Sequence, residues 1–282
     1  MAMEKSRVLV VGGTGFVGRR VVAASLAAGH PTYVLLRPEI GLDIDKLQML
    51  LAFKARGARL LEASLDDHDG LVAAVRQADV VVSAMSGVHF RSHNLMLQLK
   101  LVEAIKDAGN VKRFLPSEFG MDPSRMGDAL EPGRVSFDEK MVIRRAIEDA
   151  NIPHTYVSAN CFAAYFCPNL CQMKTLLPPK ERVGVYGDGN VKGKLTLAKL
   201  LFHCINFQVL FCIFLPGTVK ICTLFLLKNL DFASQVGIGH YYHIFYEGCL
   251  ANFEIGDNGA EATQLYPEVQ YTRMDEYLKR YI

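Results

Sequence analysis

Val8-Leu9-Val10-Val11-Gly12-Gly13-Thr14-Gly15-Phe16-Val17-Gly18 is an aliphatic run that breaks into four glycines within seven positions. It satisfies Gly-x-Gly-x-x-Gly from Gly13 and Gly-x-x-Gly-x-x-Gly from Gly12. A strand that ends in such a turn and restarts as a helix brings helix amides up to an anion. The glycines serve because the turn is tight, a pyrophosphate must approach the backbone, and the helix must lie close on the strand. The motif alone also fits an ordinary glycine-rich turn. The order strand, turn, helix, second strand favours a dinucleotide site, with Gly12, Gly13, Thr14, Gly15, Phe16, Val17 and Gly18 as its contacts.

Outward from this turn, short β-branched runs alternate with helical patterns, as in a parallel sheet wrapped by crossover helices. Strands are predicted at Arg7–Val11, Thr32–Leu36, Arg59–Ala63, Asp79–Met85, Lys112–Pro116 and His154–Ala159. Helices are predicted at Gly18–Ala28, Leu65–Gln77, Asn94–Ala108 and Asp138–Ala150. Ser64-Leu65-Asp66-Asp67 reads as a capping box, and Gly29 and Gly109 stand where left-handed stops belong. The fold class is therefore α/β, a doubly wound parallel (Rossmann) sheet over residues 1–160. A smaller substrate-binding region follows over 161–282, where Pro, Gly and aromatic residues replace the alternation.

The residue closing the second strand selects the dinucleotide, since an acid there would hold a ribose hydroxyl and repel a 2′-phosphate. Here it is Arg37, whose guanidinium suits a phosphate, with Lys46 as a second nearby cation or simply a solvated one. NADPH is the expected cofactor.

Composition excludes other classes. The 282 residues carry 31 Lys and Arg against 29 Asp and Glu, a net charge of +2 that offers little field for nucleic acid. The seven cysteines form no Cys-x-x-Cys, which suits reduced thiols. No metal site is expected either, because His89 with His93 and His240 with His243 lack the additional ligands zinc requires. Residues 1–7 lead into the first strand without a targeting pattern. The segment Val191–Leu230 contains no acid and is densely apolar. His203, Asn206 and Gln208 interrupt it and Pro216-Gly217 ends its longest run, so no membrane span is expected.

Further blocks, Leu35-Leu36-Arg37-Pro38, Arg113 to Pro123, Val157 to Phe162, Gly239-His240-Tyr241-Tyr242 and Tyr246 to Gly256, together with the glycine turn, resemble the plant isoflavone reductase-like enzymes of NmrA type. Phe119 to Pro123, Glu131-Pro132-Gly133 and Tyr246 to Gly256 are most similar to the pinoresinol-lariciresinol reductase branch, which opens furan ethers of lignans. The resemblance covers residues 5–190 and 234–282.

It implies a cytosolic, homodimeric, NADPH-dependent oxidoreductase acting on a lignan or related phenylpropanoid. The Tyr-x-x-x-Lys pair of ordinary short-chain reductases is absent, since Ser136 stands four residues before Lys140. The resemblance instead assigns the general base to Lys140. On spacing alone, Lys140 reads rather as a solvated helix lysine paired with Asp138 or Glu139; the resemblance reverses that reading. As base it would take the proton of a para-phenol, so that the benzylic ether oxygen leaves and a quinone methide accepts hydride from the cofactor. Partial burial beside positive charge would favour the neutral amine, and Arg144 at i+4 is placed to supply that charge and to touch the cofactor. Asn160 and Phe162 follow the last predicted strand, where such sheets put ligand contacts, and Met121 and His240 fall in substrate-side motifs.

The resemblance breaks at Val191–Asp231, which is shorter than the family's acidic segment and unrelated to it in composition. Cofactor binding is thus carried by more matching sequence than catalysis is. The alternatives are an isoflavone or phenylcoumaran benzylic ether reductase, or an NADP-binding protein without turnover.

Overall fold

The computed structural model describes residues 5–37, 43–86, 95–162, 193–196, 204–207, 231–250 and 253–270. Two compact units emerge: Met1–Glu118 with Asp138–Val157, and Phe119–Phe137 with Ser158–Ile282. The Phe119–Phe137 excursion thus belongs with the C-terminal unit, although by sequence it lies inside the nucleotide-binding half.

In the first unit, β1 (Val8–Val11), β2 (Thr32–Leu36), β3 (Arg59–Glu62), β4 (Val80–Ser83) and β5 (Arg113–Leu115) form a parallel sheet ordered β3-β2-β1-β4-β5. Val8 pairs with Thr32 on one side and Val80 on the other, so the chain reverses its direction of winding at β1. Because strand side chains alternate, Leu9, Val11, Tyr33 and Leu35 leave one face and Val10 and Val34 the other. The first set joins Leu71 and Val75 of α3 (His68–Val75), Leu101 and Ile105 of α4 (Gln98–Ala108) and Ile143 and Ile147 of α5 (Val135–Asp149) in one core. Outside that core, Val10 and Val34 are buried along with Val22 of α1 (Gly18–Ala27) and Leu50 and Phe53 of α2 (Ile44–Ala55). The sheet is covered on both faces, as the sequence leads one to expect.

Three local expectations change. The helix α2 was not anticipated. Asp43 caps it by accepting from Lys46 N, but Ile44, Leu47 and Leu51 are exposed, so no clean polar face marks it in the sequence. The helix α3 starts at His68, not Leu65, because Asp67 accepts from Gly70 N while Ser64 Oγ accepts only from Asp66 N in the preceding turn. The expected strand His154–Ala159 reduces to one bridge, His154 beside Phe114. Pro153 O and Thr155 N bond the two sides of Phe114, and the Arg113 side chain then takes His154 O and Thr155 Oγ1, after which pairing stops.

At the amino end of the sheet, Asp79 accepts from Arg7 N, Nε and Nη2 at 2.9, 3.0 and 3.1 Å. These bonds, with Arg7 and Lys112 charges nearby, hold its carboxyl well below the usual 3.8. Asp79→Asn is expected to cost about 1 kcal/mol near neutral pH, the half-exposed Arg7 being screened. Since the folded value is the lower one, this contribution is complete above the unfolded value and fades as pH falls toward the folded one. Urea melts should therefore show a smaller gap between parent and variant near pH 3 than near neutrality; an unchanged gap would refute the assignment.

In the second unit, β6 (Cys161–Phe162) pairs parallel to β7 (Gly193–Thr196), which pairs antiparallel to β8 (Cys204–Phe207). Among the described residues, part of the atypical segment 191–231 thus supplies two of the three strands of this sheet. Asp231 caps α6 (Phe232–Tyr241) by accepting from Ser234 N, and α6 runs into a π-helical turn, Tyr242–Tyr246. A short α7 (Ala262–Leu265) follows.

Candidate functional site

The glycine turn has the shape its residues predict. Gly12 adopts φ +79°, and a Cβ there would lie 2.7 Å from Ala84 O. At Gly18 a Cβ would come within 2.1 Å of Gly12 O, so the first turn of α1 rests directly on the loop backbone. Gly15 N closes the loop on Gly12 O at 3.0 Å. Unlike α2 and α3, each capped by an aspartate, α1 has no side-chain cap and no acid in its first turn. Its amino end, where Arg19 N and Arg20 N donate to Gly15 O and Val17 O, stands beside a cradle that side chains would fill, an arrangement that fits a dinucleotide pyrophosphate. Phe16 lies at the rim with the Arg20 guanidinium 4.0 Å from its ring centroid.

Arg37 is exposed just beyond β2. Lys46 sits 2.5 Å from Asp43, which also caps α2, so its charge is partly satisfied on its own helix.

Lys140 and Arg144 lie one turn apart on α5 and converge on the same residue. Lys140 Nζ donates to Glu118 O at 3.0 Å. Arg144 holds the Glu118 carboxylate at two points, Nε to Oε1 at 2.6 Å and Nη2 to Oε2 at 2.5 Å, with the two side chains only 10% and 3% exposed. The positive charge expected beside Lys140 stands at Arg144 and is paired with Glu118. Beneath Arg144 lies the Tyr156 ring, 4.1 Å from its guanidinium carbon. Burial, followed by the hydrogen bond to Glu148, raises the Tyr156 phenol well above its usual range. The loop bearing Glu118 is fixed as well, since Ser117 N donates to the buried Gln98 Oε1 at 2.8 Å and Ser117 Oγ donates to Met85 O.

Within the second unit, Asn160 takes φ +53° and its N–H donates to Gly120 O at 3.1 Å. Phe162 lies in β6. Met121 is buried, with its Sδ 3.5 Å from Cys249 Sγ, and burial pushes the Cys249 thiol up to about 12. His240 packs on Phe137 with ring centroids 5.4 Å apart, and Gly133 leaves it room, since a Cβ there would come within 3.3 Å of the imidazole.

Sequence reasoning weighed His243 only as half of a metal pair with His240; the side chain is 3% exposed and has another role. Its Nε2 accepts from Leu130 N at 2.9 Å, so in the neutral ring the proton sits on Nδ1 and is donated to Glu247 at 2.6 Å. The i, i+4 spacing of His243 and Glu247 was the available signal. Both border a cavity of about 330 Å³ that also exposes Arg125 and Asp128. Among the described residues no group of three His, Cys, Asp or Glu could hold a metal ion, and no helix is long and apolar enough to cross a membrane. His89 and His93 lie outside the described residues.

The comparisons with known proteins agree with this architecture. An isoflavone reductase homolog of Lupinus albus is 61% identical over 312 aligned positions, covering 99% of this chain and all of that protein. The bifunctional pinoresinol-lariciresinol reductase of Linum perenne is 56% identical over 317 positions, again covering 99% and 100%. A solved structure of AtPrR2 with NADP+ and (+)-pinoresinol superimposes with a TM-score of 0.89 at 53% identity and covers 99% of both chains. The profile of the NmrA-like family matches residues 4–189, the span that holds the five-stranded sheet, the glycine turn and Lys140, and the chain belongs to that family.

Proposed function

We propose that this protein is an NADPH-dependent reductase that opens the benzylic furan ether of lignans, converting pinoresinol to lariciresinol. The observation that carries the reading is the near full-length match to a structure holding NADP+ and (+)-pinoresinol. A cytosolic, homodimeric enzyme follows from the family resemblance. A second reading, a sister activity on isoflavones or phenylcoumarans, is favoured by the 61% identity to the isoflavone reductase homolog.

In the proposed reaction the uncapped turn at Gly12 to Gly18 binds the pyrophosphate and Arg37 the 2′-phosphate. Bound NADPH would supply the hydride. Lys140, half-buried and held at Nζ by Glu118 O, is oriented to take a phenolic proton from the substrate. Loss of that proton lets the ring electrons expel the benzylic oxygen. Asn160 and Phe162 would flank the nicotinamide. Met121 and His240 would contact the lignan, His240 braced by Phe137.

The cofactor assignment is tested by titration. NADPH is expected to bind at least roughly tenfold more tightly than NADH, and Arg37→Asp to reverse the order by losing an ion pair and adding repulsion. Equal affinities in the parent protein would remove Arg37 from the site. Incubation with NADPH and either pinoresinol or an isoflavone, with products separated by chromatography, then decides between the two substrate readings.

A further inference from the structure

Glu118 meets both cations of α5 with different atoms: its backbone oxygen takes Lys140 and its carboxylate takes Arg144. We propose that Arg144 is a positioning residue that occupies the Glu118 carboxylate and so reserves the Glu118 carbonyl, an uncharged acceptor, for Lys140.

The chemistry follows from what each acceptor does to an amine. A carboxylate in contact with Lys140 would stabilise the ammonium form and lock it as an ion pair, whereas a carbonyl dipole holds the nitrogen in place with a smaller bias toward charge. Glu118 is 3% exposed, so water cannot compensate its carboxylate if Arg144 is removed. The nearest replacement is the ammonium already bonded to the same residue. Two features keep the arrangement from rearranging. The planar guanidinium matches both carboxylate oxygens and lies on Tyr156, while the Gln98 bond to Ser117 N pins the loop. Among the described residues, the charged and titratable groups on the elements that meet here are Glu118 on the loop, Asp138, Glu139, Arg144, Arg145, Glu148 and Asp149 on α5, and Tyr156 under the guanidinium with His154 against its ring. Asp138 and Glu139 precede Lys140 by two and one residues and so leave the helix in other directions.

The inference rests on Lys140 being the base, but its test reads the amine directly and needs no turnover. Trace acetylation with acetic anhydride across a range of pH, quantified by mass spectrometry, reports the reactive neutral amine at each lysine. The exposed Lys100 and Lys112, which pair with Asp66 and Asp79, serve as internal references for an intact fold. In Arg144→Met the labelling of Lys140 at mildly alkaline pH is expected to fall about tenfold or more and its pH midpoint to move up, since an opposite charge in contact shifts ionisation by roughly 1–3 units. In Glu118→Gln/Arg144→Met the profile returns to that of the parent, and Arg144→Lys, which retains a cation against the carboxylate, stays near it. Should Arg144→Met fail to fold, Arg144→Gln removes the same charge and keeps one hydrogen bond. An unchanged Lys140 profile in the neutral Arg144 variant, or failure of the double variant to restore it, overturns the proposal. Full pinoresinol turnover in Lys140→Met would instead overturn the reading of Lys140 as base, whatever the labelling shows.

Discussion

Lys140→Ala is expected to lower kcat for pinoresinol by roughly 10²–10⁴-fold, the usual weight of a positioned general base, while NADPH affinity stays within about tenfold of the parent. The asymmetry has a structural origin. The amine is held at 3.0 Å by Glu118 O on the loop that follows β5, and the glycine turn proposed to receive the cofactor phosphates follows β1. Removing the amine deletes the proton acceptor and leaves the turn, with its close contact at Gly18, as it was. Arg144 keeps its Glu118 partner in the variant. Initial rates with product analysis, set beside a fluorescence titration of NADPH, provide the check. Turnover within about threefold of the parent would show that the proton leaves by another route.

Exchanging residues 191–231 for the longer segment of a relative should raise pinoresinol turnover by roughly ten- to hundredfold, the scale of loss that a small misplacement of reacting groups produces. The relative from Lupinus albus aligns over 312 positions, whereas this chain has 282 residues, so at least 30 positions of the alignment have no counterpart here. Gly193–Thr196 and Cys204–Phe207, from the divergent segment, are the strands that extend the short strand Cys161–Phe162, which directly follows Asn160. The five-stranded sheet draws on none of these residues. NADPH affinity should accordingly be the same in the parent and the chimera, to within about threefold. Equal turnover in the two proteins would mean that the shorter segment already builds a working pocket.

Parts of this architecture were legible in the sequence because they obey short-range rules. The uninterrupted apolar runs Val8–Val11 and Tyr33–Leu36 announce a sheet buried on both faces, and glycines at fixed offsets announce a turn that only they can make. The helix Ile44–Ala55 escaped notice because Ile44, Leu47 and Leu51 face water and blur its stripe. His154–Ala159 looked like a strand because its residues favour one, but the neighbouring strand, Arg113–Leu115, offers only three residues to pair with. In the candidate site, the i, i+4 relation of Lys140 and Arg144 was readable from the helix. Their common partner was not. Glu118 lies 26 residues before Arg144, and an isolated acid in a loop carries no periodic signal. Its position directly after Arg113–Leu115, at the carboxyl end of a parallel sheet, was the available clue.

The missing cap on Gly18–Ala27 has a consequence for how occupancy is felt. A helix whose first turn lacks a side-chain acceptor leaves room for an anion to complete it, and a nucleotide bound there as proposed would become part of the secondary structure. Ligand binding and local order are then a single equilibrium, in which each increment of nucleotide above its dissociation constant protects the turn against opening. A nucleotide fragment that keeps the phosphates but carries no redox chemistry would steady this corner of the protein as well, to the extent of its own affinity.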